Sequence, residues 1–142
     1  MKHVQNAILS LILIGIICSC NNTVTEQENE EYVFGVRLID DGEMVQKYLE
    51  YHQNVWPEVE KGFEEAGYKQ IRLYRYGNYV TMILKVPKGA DLAKMGEISK
   101  NSDPKVEEWQ NLMDDFQRGL PGVEEDQKWV MLEKIYEFKS NK

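Results

Sequence analysis

The stretch Tyr48-Leu49-Glu50-Tyr51-His52-Gln53-Asn54-Val55-Trp56-Pro57-Glu58-Val59 decides how this chain folds. It reads as the end of one helix, a break, and the start of another. Met44, Val45, Tyr48, Leu49 and His52 form an apolar stripe at helical spacing. Pro57 suits the first turn of a helix and disrupts any later turn, so the second segment begins there. It carries Val59 and Phe63 and runs to Ala66, with Gly67 as its C-cap. Residues three or four apart share a helix face, so Tyr48, His52 and Trp56 point one way. Histidine gives and takes protons near neutral pH, which makes a small polar pocket one reading of that face. Ordinary aromatic packing on a half-buried helix is the other.

Upstream, Tyr32 to Ile39 alternates as a strand, with Arg37 its polar exception, and Asp40-Asp41-Gly42 ends it. Asp41 or Asp40 can cap the helix starting near Glu43. Downstream, Tyr68–Tyr76 and Tyr79–Val86 are two strands joined by Gly77-Asn78, a hairpin signal. A short helix follows from Asp91 to Ile98. Asp103-Pro104 then starts a longer one with Val106, Trp109, Leu112, Met113 and Phe116 on one face. Residues 117–127 hold Gly119, Pro121 and Gly122 and read as a loop, and Lys128–Phe138 alternates as a last strand. The resulting order, β-α-β-β-α-β, is the ferredoxin-like arrangement of the α+β class, a four-stranded antiparallel sheet with helices on one side. Its uncovered sheet face predicts a homodimer packed sheet against sheet.

Residues 1–20 have a basic start and an apolar run from Ala7 to Cys18. That run is shorter than the roughly 20 residues of a membrane span and reads as a secretory signal. Its ending, Ile17-Cys18-Ser19-Cys20, resembles a bacterial lipoprotein signal cleaved before Cys20, with lipid attached to that cysteine. An uncleaved N-terminal anchor is the alternative. The expected organisation is a signal over 1–19, a lipidated cysteine and polar tether over 20–31, a folded domain over 32–138 and a tail over 139–142. The expected location is the bacterial cell envelope, held to a membrane by the lipid alone.

Both cysteines lie in the N-terminal segment, so the domain has no cysteine nucleophile and no zinc–thiolate set. Cleavage would also remove His3, leaving His52 as the lone histidine, too few for a multi-histidine metal site. It would take away Lys2 from a chain whose net charge is already −7. Such a balance argues against a nucleic-acid partner. Gly-rich nucleotide loops and the Gly-x-Ser-x-Gly elbow are absent.

Tyr48-x-x-x-His52-x-x-x-Trp56-Pro57-Glu58 resembles the signature of the L-rhamnose mutarotase family. The likeness continues through Gly67, Tyr74, Trp109 and Leu112-Met113 and covers residues 32–138. It implies a small dimeric α/β-barrel protein that interconverts the α and β anomers of a free sugar, typically L-rhamnose, without cofactor or metal. It places the pocket histidine on His52, a pocket tyrosine on Tyr48 and one of two paired tryptophans on Trp109. The second pocket tyrosine falls on Ile71 and the second tryptophan on Glu108, which are departures. Tyr48 and His52 are thus the expected catalytic pair, and Trp109, Tyr74, Trp56 and Arg72 the expected substrate-binding residues. Two other readings stand beside it: a non-catalytic sugar-binding module, and another cofactor-independent dimeric α/β-barrel enzyme of monooxygenase-like kind.

Overall fold

The computed structural model describes residues 28–124 and 127–140. Cys20 and the proposed signal lie outside the described residues. The elements are β1 (Asn29–Leu38), α1 (Gly42–Gln53), α2 (Pro57–Ala66), β2 (Gln70–Tyr76), β3 (Tyr79–Pro87), α3 (Leu92–Ser102), α4 (Pro104–Phe116), β4 (Gln117–Arg118) and β5 (Val130–Met131). The fold is the expected ferredoxin-like α+β arrangement, with each helical connection divided into two helices.

Local chemistry sets the helix ends. The Asp41 carboxylate accepts from the backbone N–H groups of Glu43 and Met44 at 2.9 and 3.0 Å, which starts α1. Replacing it, Asp41→Ala, removes both bonds. The expected loss is about 1 kcal/mol, read as a melting temperature lower by roughly 4–8 °C. Trp56 stays extended (φ −65°, ψ 136°), as a residue before proline prefers, and Pro57 opens α2. Gly67 closes α2 in the left-handed region at φ 88°, where its missing Cβ avoids a steric penalty. Asp91 and Asp103 cap α3 and α4 in the same manner as Asp41.

The sheet order is β2-β3-β1, and β4 and β5 share the remaining edge of β1. The antiparallel register pairs Val36 with Val80, Phe34 with Met82, and Ile71 with Leu84. Side chains alternate across a sheet, so these residues face one way. Val36, Leu38 and Val80 pack there against Tyr48, Val59, Trp109, Met113 and Phe116 of the helices. Leu84 and Val86 pack against Ala66 and Met95. The opposite face carries Arg72, Tyr74, Tyr76, Tyr79 and Ile83. No helix covers it, and Tyr76 is 89% exposed. The outer edge of β2 has no partner strand among the described residues.

Besides α3, which runs on past Ile98 to Ser102, and β2, which starts at Gln70 and not Tyr68, three boundaries differ from the sequence reading in ways that shape the sheet. First, β1 begins at Asn29, inside the stretch read as tether. The Glu30 carboxylate accepts from the Gly89 backbone and the Glu28 carbonyl from the Lys88 backbone, which draws the chain into the ladder. Second, Gln117–Arg118, read as loop, is a short strand opposite Arg37 and Leu38. Third, the last strand is much shorter than Lys128–Phe138. Only Val130 and Met131 pair, opposite Gly35 and Phe34, with one more bond from Leu132 N–H to the Val33 carbonyl at 2.7 Å. Beyond it the chain leaves the sheet, and Ile135, Tyr136 and Phe138 are 90%, 78% and 77% exposed. Alternation marks a segment able to pair, but a strand also needs an adjacent backbone edge, and within this protomer residues 133–138 occupy none.

Candidate active site

A cavity of about 1060 Å³ lies between the helix-covered face of the sheet and helices α1, α2 and α4. Helix α1 contributes Tyr48 and His52, and α4 contributes Trp109 and Met113. Strands β2 and β3 supply an apolar floor of Ile71, Leu73, Met82 and Leu84.

Tyr48 and His52 stand one helical turn apart, with ring centroids 4.2 Å from each other. The Nδ1 of His52 lies 2.9 Å from the Tyr48 backbone carbonyl. A carbonyl only accepts, so Nδ1 carries the proton and Nε2 keeps a free lone pair. Burial lowers the His52 pKa below 6.5, and the bond to the carbonyl partly opposes that shift. The ring is therefore mostly neutral at pH 7, in the form that accepts a proton. The edge of Trp109 meets it at 5.6 Å, so the ring has aromatic contacts on two sides.

Tyr48 is 2% exposed and its hydroxyl makes no hydrogen bond to another protein group. Burial raises its pKa to about 12, with the Gln117 side chain acting in the opposite sense. The phenol stays protonated across the physiological range, as a donor with no partner in the protein. A buried polar group of this kind needs a partner, and a ligand oxygen in the cavity can supply one.

The structure thus brings His52, Tyr48 and Trp109 to one cavity and keeps the other expected residues out of it. Trp56 lies behind Trp109, edge to face at 5.3 Å, with the Lys105 ammonium 5.1 Å over its ring. It supports the Trp109 indole instead of lining the cavity. Arg72 and Tyr74 alternate with Ile71 and Leu73, so they lie on the other sheet face, where Arg72 pairs with Glu31 at 2.8 Å. Glu108 is exposed and bonds Lys105 at 2.6 Å, while Ile71 does line the cavity. Gln117 and Trp129 are among the lining residues to which the sequence assigns no function. Gln117 stands in the stretch read as loop, and Trp129 was only a strand residue. The Trp129 Nε1–H donates to the Gln117 side-chain oxygen at 3.1 Å. Their separation of twelve positions follows no helical or strand period, so no local signal pairs them. Among the described residues, no group of three His, Cys, Asp or Glu side chains is arranged to hold a metal ion.

Such a site combines a neutral histidine, a protonated phenol and aromatic and apolar walls. It can shuttle protons on a small polyhydroxylated ligand held against an indole. Comparison with known proteins points the same way. The family described as L-rhamnose mutarotase matches residues 31–138. An L-fucose mutarotase of Xanthomonas campestris pv. campestris is 30% identical over 102 residues, covering 70% of this chain and 80% of that protein. A protein of Dictyostelium discoideum named only as UPF0734 is 29% identical over 117 residues, covering 77% of this chain and 90% of its own. The crystal structure of an L-rhamnose mutarotase from Formosa agariphila superposes with a TM-score of 0.54 at 22% identity. That match spans 78% of this chain and 99% of the other, and at this identity it speaks for the fold.

Proposed function

Because the chain belongs to the L-rhamnose mutarotase family, we propose that it interconverts the α and β anomers of a free L-rhamnose-like monosaccharide by general acid–base catalysis. One observation carries the reading: neutral His52 and the unpartnered Tyr48 hydroxyl stand one turn apart in the cavity that Trp109 walls.

The chemistry needs only proton transfers. A base takes the proton of the anomeric hydroxyl while an acid gives one to the ring oxygen. The bond between the anomeric carbon and the ring oxygen breaks, leaving an open-chain aldehyde. Rotation about the adjacent C–C bond presents the other carbonyl face, and the reverse transfers close the ring. The Nε2 of His52 is free to take a proton and return it. Tyr48, a phenol at neutral pH, donates a hydrogen bond to a sugar oxygen and holds it in place. Trp109 offers a flat apolar surface to the C–H face of a pyranose.

The test is anomer exchange in the full chain, measured by saturation-transfer NMR with L-rhamnose, L-fucose and related free sugars. Exchange above the uncatalysed rate supports the reading, and the uncatalysed rate for every sugar overturns it. Ile71, an apolar residue on the cavity floor, favours one second reading, a sugar-binding member without turnover. Binding with no exchange would establish that alternative.

The same proposal includes a homodimer through the uncovered sheet face. Ile135, Tyr136 and Phe138 on the departing segment and Tyr74, Tyr76 and Tyr79 on the sheet are all more than half exposed. At roughly 150–250 Å² for a large aromatic side chain, the five partly exposed aromatics approach the ~800 Å² per partner of a standard interface. The double variant Ile135→Glu with Tyr76→Glu is expected to sediment as a monomer at a concentration where the unaltered chain sediments as a dimer. Equal sedimentation coefficients for the two would count against the interface.

A further inference from the structure

Gln117 is 5% exposed and lines the same cavity as Tyr48 and Trp129. Its backbone is fixed because it pairs with Leu38 at the end of β1. Its side chain is fixed because Trp129 Nε1–H donates to its oxygen. An indole nitrogen only donates, so the oxygen end of the carboxamide is taken and its NH₂ end is the free end. In the same cavity the Tyr48 hydroxyl is buried and has no partner. Across the cavity, Ile71 offers no polar atom.

We propose that Gln117, locked by Trp129, is a positioning residue of the pocket: its carboxamide N–H donates to the Tyr48 oxygen as a ligand binds, so that the Tyr48 proton is presented to an oxygen of a polyhydroxylated ligand. This rests on the sugar-binding part of the proposed function. Gln117 acting against the burial of Tyr48 agrees with a donor aimed at the phenol oxygen. The arrangement builds the polar side of the pocket from β4 and the residue before β5, while the β2 floor stays apolar. It also gives the Gln117–Trp129 bond a purpose, since without it the carboxamide could turn its oxygen toward Tyr48 and compete for the same proton.

The experiment follows the full chain labelled with ¹⁵N during titration with L-rhamnose and with L-fucose, alongside anomer exchange. Gln117→Glu keeps an oxygen for Trp129 but removes the donor. Gln117→Leu removes both, and the glutamate variant still decides the matter if the leucine variant does not fold. The expected result is that sugar moves the side-chain amide signals of Gln117. In Gln117→Glu, kcat falls by about tenfold or more while the Trp129 indole signal stays near its unaltered position. Trp129→Phe is expected to fall between the two. Glutamate-variant kcat and KM values within about twofold of the unaltered chain would overturn the proposal. Amide shifts without exchange would support it and overturn the mutarotase reading. Exchange without amide shifts would do the reverse, and neither response to either sugar would sink both.

Discussion

Substituting His52→Gln is expected to lower catalysed anomer exchange by about 10² to 10⁴-fold, the usual contribution of a positioned acid–base group. Glutamine retains a side-chain amide that can reach the Tyr48 carbonyl, but it cannot exchange a proton at neutral pH. The loss should appear in kcat. Saturation-transfer NMR at several sugar concentrations measures it, and activity retained within a few-fold would assign the proton transfer elsewhere. The same variant has a pH signature. Burial lowers the folded-state pKa of His52 below 6.5. Between that lowered value and about 6.5, the unfolded chain binds more protons than the folded one, so stability rises with pH in this window. The contribution is complete above 6.5 and is lost as pH falls through the folded-state pKa. Urea unfolding between pH 5 and 7 should therefore show a steeper decline for the unaltered chain than for His52→Gln. Parallel curves would mean that His52 is not held neutral by the fold.

Trp109→Ala is expected to cost about 3–5 kcal/mol, the range for removing a large aromatic from a core. The indole is 6% exposed and stands between His52, Trp56 and Tyr51, at 5.6, 5.3 and 6.1 Å between ring centroids. Its removal takes one wall from the cavity and the edge contact from the histidine. The denaturation midpoint should drop sharply, and sugar affinity should fall with it. Trp109→Phe keeps an aromatic surface and should recover most of the stability while binding sugar less well. A denaturation midpoint unchanged in the alanine variant would contradict the packing described for α4.

These predictions rest on parts of the molecule that were legible in the chain to different degrees. Asp41, Pro57, Gly67, Gly77 and Asp103 act within a few residues of themselves, and each stands in the capping or turn position its chemistry suggests. Tyr48 and His52 were legible as neighbours because one helical turn separates them. Arg72 and Tyr74 were not separable from Ile71 and Leu73 by alternation alone. Two faces of a strand look alike until the helices choose one, and here Ile71 packs against the cluster that holds Ala66 of α2 and Met95 of α3. Gln117 and Trp129 meet only because β4 and β5 return to the same edge of β1. The length of the last strand is illegible for a related reason, since alternating residues from Lys128 to Phe138 say nothing about which backbone will accept them.

The outer edge of β2, unpaired among the described residues, has a consequence for the chain in a crowded solution. A strand with free N–H and C=O groups is a template on which other strands can stack. Here it reads Gln70-Ile71-Arg72-Leu73-Tyr74-Arg75-Tyr76. Arg72 and Arg75 set a charge on each side of the sheet along that edge. Charged side chains on an exposed edge disfavour such stacking, and Arg72, paired with Glu31, and Arg75 take that place on a strand that also floors the cavity.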